Sequence, residues 1–384
     1  MPVSLSAVLR PFAGFYFFYF AFVGVISPYW SVYLQSLGFD AMSIAWLASL
    51  STFARLFAPS LWGWLADCFP HRRQALIRLA CVAACLSFLL LALGKSFFLF
   101  FIALAFVHLF WAGALPLVEA STLALTAASP GQYSLVRLWG SVGFVVAALG
   151  LGYALDYFSS DLIAIAAFIS LLFLALSSYF LVIPLRSQAP NALFPLRSIL
   201  QQSAVKTLLM CSFLMAFAHG PYYIFLSLGL VKAGYSASAI GGLWSLGVIC
   251  EIVVFWAMPK ILRRYSLTQV LQSSLATAAI RFVMIAFLFE NPLWMIVAQT
   301  LHALTFAAHH ASAVGLIHRL FPEAHQSKAQ GLYIAVSYGL GGTAGGLLAG
   351  VLWPHWGMAG AFLPSAFAAL IAWWLARRSL SASV

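Results

Sequence analysis

Long apolar stretches, separated by short polar joints, follow one another along almost the whole chain. Each stretch holds about 20 or more mostly apolar residues, which is the length that a helix needs to cross a bilayer. The joints contain charged residues together with Gly and Pro, which commonly end helices. The pattern predicts twelve membrane-spanning helices, at 11–36, 42–66, 74–94, 97–127, 133–158, 161–184, 204–231, 237–259, 267–289, 292–318, 328–351 and 358–376.

The composition agrees with a membrane protein. Of the 384 residues, 64% are hydrophobic and only 7% are charged, whereas about a quarter of the residues in a soluble domain are charged. We therefore expect an all-α integral membrane protein whose surroundings are a lipid bilayer. The composition excludes an ordinary soluble enzyme or binding domain.

The Lys and Arg residues outside the predicted membrane core fall almost entirely on one side of the predicted bundle. If the N-terminus is cytoplasmic, fourteen of them lie on the cytoplasmic side, and the other side keeps only Lys95 and Lys232. Cytoplasmic loops of membrane proteins retain such an excess of positive charge. We expect a multi-pass membrane protein with both termini cytoplasmic. The same distribution explains most of the net charge of +11, so no nucleic-acid partner is expected.

The two halves of the chain resemble each other. Residues 38–56 align without a gap on residues 234–252, at an offset of 196 positions. The repeat predicts two pseudo-symmetric six-helix halves, 1–184 and 204–384, joined by a cytoplasmic linker at 185–203. Parallel halves of this kind are the architecture of major facilitator transporters, in which substrate is handled near the bilayer midplane.

The loop after the second predicted helix, GWLADCFPHRR, resembles the loop motif of the major facilitator superfamily. The matching residues are Gly63, Leu65, Ala66, Asp67, Arg72 and Arg73, of which Gly63, Asp67, Arg72 and Arg73 are the candidate functional ones. The loop departs from the motif at Pro70 and His71, where the family usually has Gly and Arg. An Asp at a helix end can pair with a neighbouring helix N-terminus or with an Arg. We expect these residues to form a latch that holds one conformation of the protein.

Five charged residues are predicted to lie inside the membrane, where ionisable groups are costly and are functional candidates by default. Arg55, Glu251 and Arg281 fall near the middle of their helices, and Glu119 and Arg137 lie at similar depths on consecutive helices, so they could pair. Arg55 and Glu251 occupy the same position in the two repeats. At this depth the arginines outnumber the carboxylates by three to two, and this excess of positive charge favours a substrate with an anionic group.

Three histidines lie in the stretch QTLHALTFAAHH, residues 299–310. In a straight α-helix, His309 lies about 20° around the axis from His302 and about 10 Å along it, whereas His310 projects about 80° away. His309 would then extend a polar track from His302, and His310 would pack or form a hydrogen bond to another helix. A separation of about 10 Å is too long for one metal ion without other ligands. We expect no metal, no cofactor and no enzymatic activity.

Residues 131–144, GQYSLVRLWGSVGF, together with Glu119 and Arg137, resemble the substrate-binding pair of the lactose-permease-like branch of the major facilitator superfamily. Further matches are Glu251, Arg281 and His302. The resemblance implies a monomeric transporter that uses protons to take up a small molecule through the cell inner (plasma) membrane. It also implies that Glu119, Arg137, Glu251 and His302 lie near the substrate.

The departures from this branch are informative. Gln299 and Thr305 stand where lactose permease has a Lys and the Glu that carries the proton, so the proton site cannot be transferred by resemblance. Arg55 matches no charged residue of that permease, but phenylpropionate-type members of the branch have Arg there. An Arg fork can hold a carboxylate with two hydrogen bonds. This favours a small aromatic carboxylate such as 3-phenylpropionate over an uncharged sugar.

The sequence thus predicts a proton-coupled symporter that works by alternating access. The expected substrate-binding residues are Arg55, Glu119, Arg137, Glu251 and His302. The expected proton-coupling residues are Glu251, Glu119, Arg281, His302 and His309. A proton-coupled sugar or nucleoside symporter and a drug exporter remain open alternatives, and a membrane metalloenzyme is the least favoured.

Overall fold

The computed structural model of the protein describes residues 5–127, 130–183 and 199–380. Most of the linker predicted at 185–203 therefore lies outside the described residues. Within the described ranges the structure consists of helices joined by short turns, as the hydrophobic pattern predicts.

Twelve helices follow one another along the described chain. The first six are α1 Leu5–Ser36, α2 Ala41–Cys68, α3 Pro70–Leu93, α4 Phe97–Leu125, α5 Pro130–Leu155 and α6 Asp161–Ser178. The second six are α7 Ser203–Lys232, α8 Ala237–Ile261, α9 Leu267–Leu288, α10 at 292–320, α11 at 326–356 and α12 at 358–379. Gly357, with a φ of 52°, bends the chain between α11 and α12. The predicted all-α membrane fold is confirmed.

Three of these helices are irregular away from their ends. α2 tightens into a 3₁₀ turn at Ala54–Leu56. α10 and α11 each contain a π turn, at Leu304–Ala308 and Ala335–Gly341. Such turns interrupt the usual hydrogen-bond ladder and are frequent at functional sites.

The chain divides into two compact units. Unit 1 contains described residues of 1–43, 57–188 and 236–242, and unit 2 contains those of 44–56, 189–235 and 243–384. The middle of α2 thus belongs to unit 2, and the start of α8 belongs to unit 1. The division into halves 1–184 and 204–384 rests on the sequence repeat and stays a prediction.

Glycines allow helices to approach closely inside each unit. In unit 1, a Cβ added to Gly143 of α5 would overlap the carbonyl oxygen of Phe17 on α1. In unit 2, a Cβ added to Gly345 of α11 would overlap the carbonyl oxygen of Phe217 on α7. Small residues at such crossings let helix backbones pack directly against each other in membranes.

The sequence repeat reappears as a repeated corner before α2 and before α8. Gly38 and Gly234, one offset apart, both have positive φ values, of 90° and 85°. Two residues later, Asp40 and Ser236 each accept a hydrogen bond from the backbone N–H three positions on. Gly relieves the steric cost of positive φ, and Asp and Ser are favoured helix N-caps.

Candidate functional site

The sequence-predicted pair in unit 1 is formed. Nε of Arg137 on α5 lies 3.3 Å from Oε1 of Glu119 on α4, and the two side chains are 31% and 32% exposed. The guanidinium also lies over the ring of Phe20, 4.1 Å from its centroid, and 5.4 Å from that of Tyr16. The pair is therefore accessible, and two aromatic rings of α1 fix its guanidinium.

Two neighbours limit the movement of this pair. The hydroxyl of Tyr16 lies 3.1 Å from Oγ1 of Thr122, one turn after Glu119. A Cβ added to Gly140 would lie 2.7 Å from the Phe20 ring and 2.8 Å from Nη1 of Arg137. The absence of a side chain at Gly140 thus leaves room for the guanidinium and its ring partner.

A second acidic residue, Glu251, contacts a histidine inside unit 2. Oε1 of Glu251 on α8 lies 2.9 Å from Nε2 of His302 on α10, and the side chains are 15% and 5% exposed. Because a carboxylate oxygen can only accept from this ring nitrogen unless the acid itself is protonated, one proton is shared at this contact. The pair can therefore exist with different numbers of bound protons.

Aromatic rings hold His302 in place. The rings of Tyr222 on α7 and Phe306 on α10 stack on it, with centroid distances of 5.0 and 5.5 Å and an interplanar angle of 21° in both cases. The stack fixes the plane of the imidazole, so Nε2 keeps pointing at Glu251.

Arg281 of α9 is fully buried at the centre of a hydrogen-bond network. Its Nε donates to the carbonyl oxygen of Ala298 at 2.8 Å, and its Nη atoms donate to Oγ1 of Thr305 and Oε1 of Gln299, both at 3.4 Å. Its guanidinium also lies 4.4 Å from the ring centroid of Tyr222. Among the described residues, no Asp or Glu oxygen lies within 4.0 Å of Arg281.

Arg55 reaches the interior of unit 2 from the 3₁₀ turn of α2. Its guanidinium lies 5.7 Å from the ring centroid of Tyr338 on α11, and the hydroxyl of that tyrosine lies 3.4 Å from Nδ1 of His310. No carboxylate of the described residues lies within 4.0 Å of Arg55, so it is not paired with Glu251. Arg55 thus has an aromatic neighbour and, within the part of the chain that the structure describes, no carboxylate partner.

The π turn of α10 changes the arrangement of its histidines from that of a straight helix. Phe306 stacks on His302, and His310 stacks on Phe306 with an interplanar angle of 10°. His309 instead turns towards α9, where its Nδ1 lies 3.2 Å from Oγ of Ser274. The expectation that His309 lies below His302 differs from the structure because a π turn has more residues per turn than an α-helix.

A small cavity of about 30 Å³ lies beside this network within unit 2. Its lining includes His219, Tyr223, Thr305, His309 and Tyr338. Most of its exposed lining is apolar, but its volume has room for about one or two water molecules beside the hydroxyl and imidazole groups that line it. It offers a place for water, next to several side chains that can bind protons.

The residues of the predicted latch lie in unit 1, at the end of α2 and the start of α3. Asp67 and Arg72 are exposed, whereas Arg73 is only 9% exposed. No ion pair of Asp67 within 4.0 Å is present among the described residues. The role of Gly63, Asp67, Arg72 and Arg73 as a latch stays a prediction.

Sequence reasoning did not identify several residues of the unit 2 network. Gln299 and Thr305 were noted only as differences from lactose permease, although both accept hydrogen bonds from Arg281 in the structure. His219 was not selected at all, yet its Nε2 lies 3.4 Å from Oγ1 of Thr305. A search for every titratable residue at membrane depth, rather than for charged ones, would have found His219 in α7.

The two clusters support different chemistry. Glu119 and Arg137 form an accessible pair with one acceptor and one donor side chain, suited to hydroxyl groups or to a carboxylate. The unit 2 cluster holds two guanidinium groups, Arg55 and Arg281, and one carboxylate, Glu251, which His302 engages. An added anion would balance this second cluster.

Comparison with known proteins gives a consistent family assignment. Residues 9–364 match the model described as the MFS_1 like family. A probable 3-phenylpropionic acid transporter of Escherichia coli (strain K12) is 30% identical over 374 residues, which cover 92% of this chain and 94% of that protein. Maltose permease of Geobacillus stearothermophilus is 28% identical over 360 residues, covering 92% of this chain and 89% of that protein.

Solved structures of transporters share the fold. The nucleoside transporter NupG superimposes with a TM-score of 0.81 at 17% identity, covering 97% of this chain and 99% of that one. A bacterial homolog of the human lysosomal transporter Spinster gives a TM-score of 0.70 at 15% identity, covering 98% of both chains. At such low identities these structures establish the fold alone.

Proposed function

Because the chain belongs to the MFS_1-like family, and so is a multi-pass membrane transporter and not an enzyme, we propose that it carries a small aromatic carboxylate such as 3-phenylpropionate together with protons. The transport is uptake by alternating access. The similarity to the probable 3-phenylpropionic acid transporter supports this substrate class. The site itself supplies an independent argument from charge.

The observation that carries the proposal is the charge balance around Arg55. Its guanidinium has a tyrosine ring 5.7 Å away but no described carboxylate within 4.0 Å. A charge at membrane depth needs a partner, and the planar fork of Arg suits a carboxylate. The carboxylate of the substrate is the partner in this proposal, and Tyr338 offers a ring face for the aromatic group.

The proton-binding part of the site is centred on Glu251 and His302. Their contact of 2.9 Å and its shielding from solvent suit a group that gains and loses a proton as its surroundings change. Arg281 contributes positive charge nearby, and no ion pair of its guanidinium is present within the described ranges. Glu119 and His309 are further proton-coupling candidates, and their roles rest on position alone.

We place the protein in the cell inner membrane as a monomer with both termini cytoplasmic. The excess of Lys and Arg on one side of the predicted bundle supports this orientation.

A sugar or nucleoside symporter is the second candidate. The observation that favours it is the Glu119 and Arg137 pair, which is about one third exposed and lies against the rings of Phe20 and Tyr16. Such a pair can bind hydroxyl groups while an aromatic face stacks on a sugar ring. The relationship to maltose permease agrees with this alternative.

Uptake by the purified protein in proteoliposomes tests both candidates. Radiolabelled 3-phenylpropionate, cinnamate, maltose, lactose and a nucleoside are supplied separately under an imposed pH gradient, acidic outside. We expect the two acids to enter the proteoliposomes faster than they enter empty liposomes at the same gradient, measured as initial rates. Empty liposomes are essential, because the protonated acids cross lipid unaided and distribute with the gradient.

The outcomes separate the candidates. Accumulation of a sugar or nucleoside without either acid would overturn the carboxylate proposal and support the second candidate. Accumulation of an acid that dissipation of the gradient does not affect would overturn proton coupling and leave the substrate class in place.

A further inference from the structure

His219, a histidine that the proposed mechanism does not use, lies in the middle of α7 within unit 2. Its side chain is 5% exposed. The charged or titratable groups around it are Arg281 of α9, His302 and His309 of α10, Tyr222 and Tyr223 of α7, and, around the shared cavity, Tyr333 and Tyr338 of α11. A buried titratable residue in such surroundings needs a stated partner for each ring nitrogen.

The hydrogen bonds of His219 define its tautomer. Nδ1 lies 2.9 Å from the backbone carbonyl oxygen of Met215. A carbonyl oxygen can only accept, so Nδ1 carries a hydrogen and donates it. In the neutral ring, Nε2 then presents a lone pair, and its neighbour is Oγ1 of Thr305 at 3.4 Å. Nε2 is therefore the atom that can take up a proton.

The hydroxyl of Thr305 can serve His219 in both protonation states. Oγ1 lies 3.1 Å from the carbonyl oxygen of His302 and 3.4 Å from Nη1 of Arg281. When His219 is neutral, the hydroxyl donates to its Nε2. When His219 is protonated, Nε2–H donates to Oγ1, and the hydroxyl hydrogen turns to the carbonyl of His302. In the protonated state the one hydrogen and both lone pairs of Oγ1 are used.

We propose that His219 is a proton-binding residue of the transport cycle and that Thr305 positions it. The proposal rests on the proton-coupled function proposed above. A proton delivered by water forms a bond to the lone pair of Nε2, and the same N–H bond breaks when the proton leaves. Only the hydroxyl hydrogen of Thr305 rotates. The cavity of about 30 Å³ that both residues line has room for the water molecule that exchanges the proton.

The charge of Arg281 links this proton to the substrate. A protonated His219 and Arg281 both donate to Oγ1 of Thr305, so two like charges lie close together and repel each other. No Asp or Glu oxygen of the described residues lies within 4.0 Å of either side chain. A substrate carboxylate bound in unit 2 offsets this repulsion. Binding of the anion and protonation of His219 then favour each other, as reciprocal coupling requires.

The test compares two transport modes of the same proteoliposomes. Accumulation driven by a pH gradient needs proton release and uptake, whereas counterflow exchanges labelled for unlabelled substrate without net proton movement. We expect His219→Gln to reduce accumulation by roughly tenfold or more, because Gln does not titrate between pH 5 and 8, and to reduce counterflow much less. His355→Gln, at an exposed histidine near the end of α11, is the matched control and leaves both modes unchanged.

Thr305 provides a second pair of variants. Thr305→Val keeps the shape of the side chain but removes the hydroxyl, and we expect it to lose accumulation and to shift the pH dependence of net uptake. Thr305→Ser keeps the hydroxyl, and we expect it to have wild-type accumulation and the wild-type pH dependence of net uptake. If Thr305 only filled space, Thr305→Val and Thr305→Ser would show the same pH dependence of net uptake.

Each outcome decides the proposal. His219→Gln that accumulates substrate as well as the wild type would overturn the role of His219 and leave the proposed function standing. Equal loss of accumulation and counterflow in His219→Gln, with Thr305→Val behaving like Thr305→Ser, would assign both residues to packing. Absence of gradient-driven accumulation in the wild type would overturn the proton coupling on which the proposal rests.

Discussion

Oε1 of Glu251 lies 2.9 Å from Nε2 of His302, and the two residues reach this contact from α8 and α10. A hydrogen bond that involves a charged group contributes about 1.5–3 kcal/mol. Its gain and loss can therefore shift an equilibrium between two states by roughly tenfold or more.

Glu251→Gln keeps the size of the side chain but cannot release a proton. We expect it to reduce substrate accumulation driven by a pH gradient by roughly tenfold or more, with a smaller effect on counterflow. The measurement is paired uptake in proteoliposomes. Glu290→Gln, at an exposed carboxylate just beyond α9, is the control, and full accumulation by Glu251→Gln would exclude Glu251 from proton coupling.

Arg281→Lys tests whether the guanidinium geometry matters or only the charge. Arg281 donates through Nε to Ala298 and through its Nη atoms to Thr305 and Gln299. A Lys ammonium is a point charge that cannot reproduce this fork. Leaving a buried polar group without its partner costs about 1–3 kcal/mol.

We therefore expect Arg281→Lys to lower both the apparent Tm in detergent and transport, by a few degrees and by roughly tenfold. Arg78→Lys is a useful comparison, because Arg78 bonds a backbone carbonyl near the surface of unit 1 through Nη2. Wild-type Tm and transport in Arg281→Lys would show that charge alone suffices at this position.

Arg55→Gln tests the proposed partner of the substrate carboxylate. We expect the KM for 3-phenylpropionate to rise by roughly tenfold or more, since a charge-assisted hydrogen bond is lost. The apparent Tm should change little, because Arg55 makes no described ion pair. Arg55→Lys should recover part of the affinity, and Arg10→Gln, at an exposed residue of α1, should have no effect. An unchanged KM in Arg55→Gln would remove Arg55 from the site.

Gly140→Ala is a steric test of the accessible pair in unit 1. The added Cβ would lie 2.8 Å from Nη1 of Arg137 and 2.7 Å from the Phe20 ring, so the guanidinium must move. We expect a several-fold rise in KM with little loss of folded protein, since Ala favours the helix over Gly by about 1 kcal/mol. Gly150→Ala on the same helix meets nothing within 4 Å and is the matched control. Identical kinetics for the two variants would argue against substrate contact at Arg137.

Part of the fold can be predicted from the sequence because it depends on short, contiguous stretches of residues. A run of about 20 apolar residues must form a spanning helix, since unpaired backbone groups are not tolerated in lipid. The repeated corners are also local. Gly38 and Gly234 allow positive φ, and Asp40 and Ser236 cap the helices that follow. These features lie in the alignable repeat, so both sequence and structure contain them.

The unit 2 network could not be predicted in the same way because it depends on three-dimensional contacts. Arg281 bonds Thr305 and Gln299 across helices, and nothing in the residue spacing indicates which polar groups a buried guanidinium will reach. The π turn of α10 also makes prediction harder. It redirects His309, but its own residues, Leu304–Ala308, have the apolar sequence of an ordinary membrane helix. Arg281 was identified from the sequence because it is a charged residue at membrane depth. Its link to His219 through Thr305 is visible only in the structure.

The carboxylate of Asp156 offers a test of pH dependence outside the membrane-spanning segments. Asp156, just beyond α5, accepts a hydrogen bond from the backbone N–H of Ser238 at 3.2 Å. A hydrogen bond with the Ser238 side chain, supported by the backbone N–H groups of Ser238 and Ala237, holds the pKa of Asp156 below its ordinary value of 3.8. A carboxylate whose pKa is lowered by folding stabilises the folded state above its ordinary pKa. This contribution is lost as the pH falls through the lowered value.

Asp156→Asn should therefore lower the apparent Tm at pH 7, and the difference from the wild type should shrink towards zero as the pH falls below about 4. Ser238→Ala removes the largest cause of the lowered pKa, so we expect the Asp156 carboxylate to stabilise the folded state less at pH 7 in this variant than in the wild type. Thermal unfolding in detergent between about pH 3 and pH 7 measures both effects. A Tm difference between Asp156→Asn and the wild type that is the same at every pH would show that the carboxylate charge does not stabilise the start of α8.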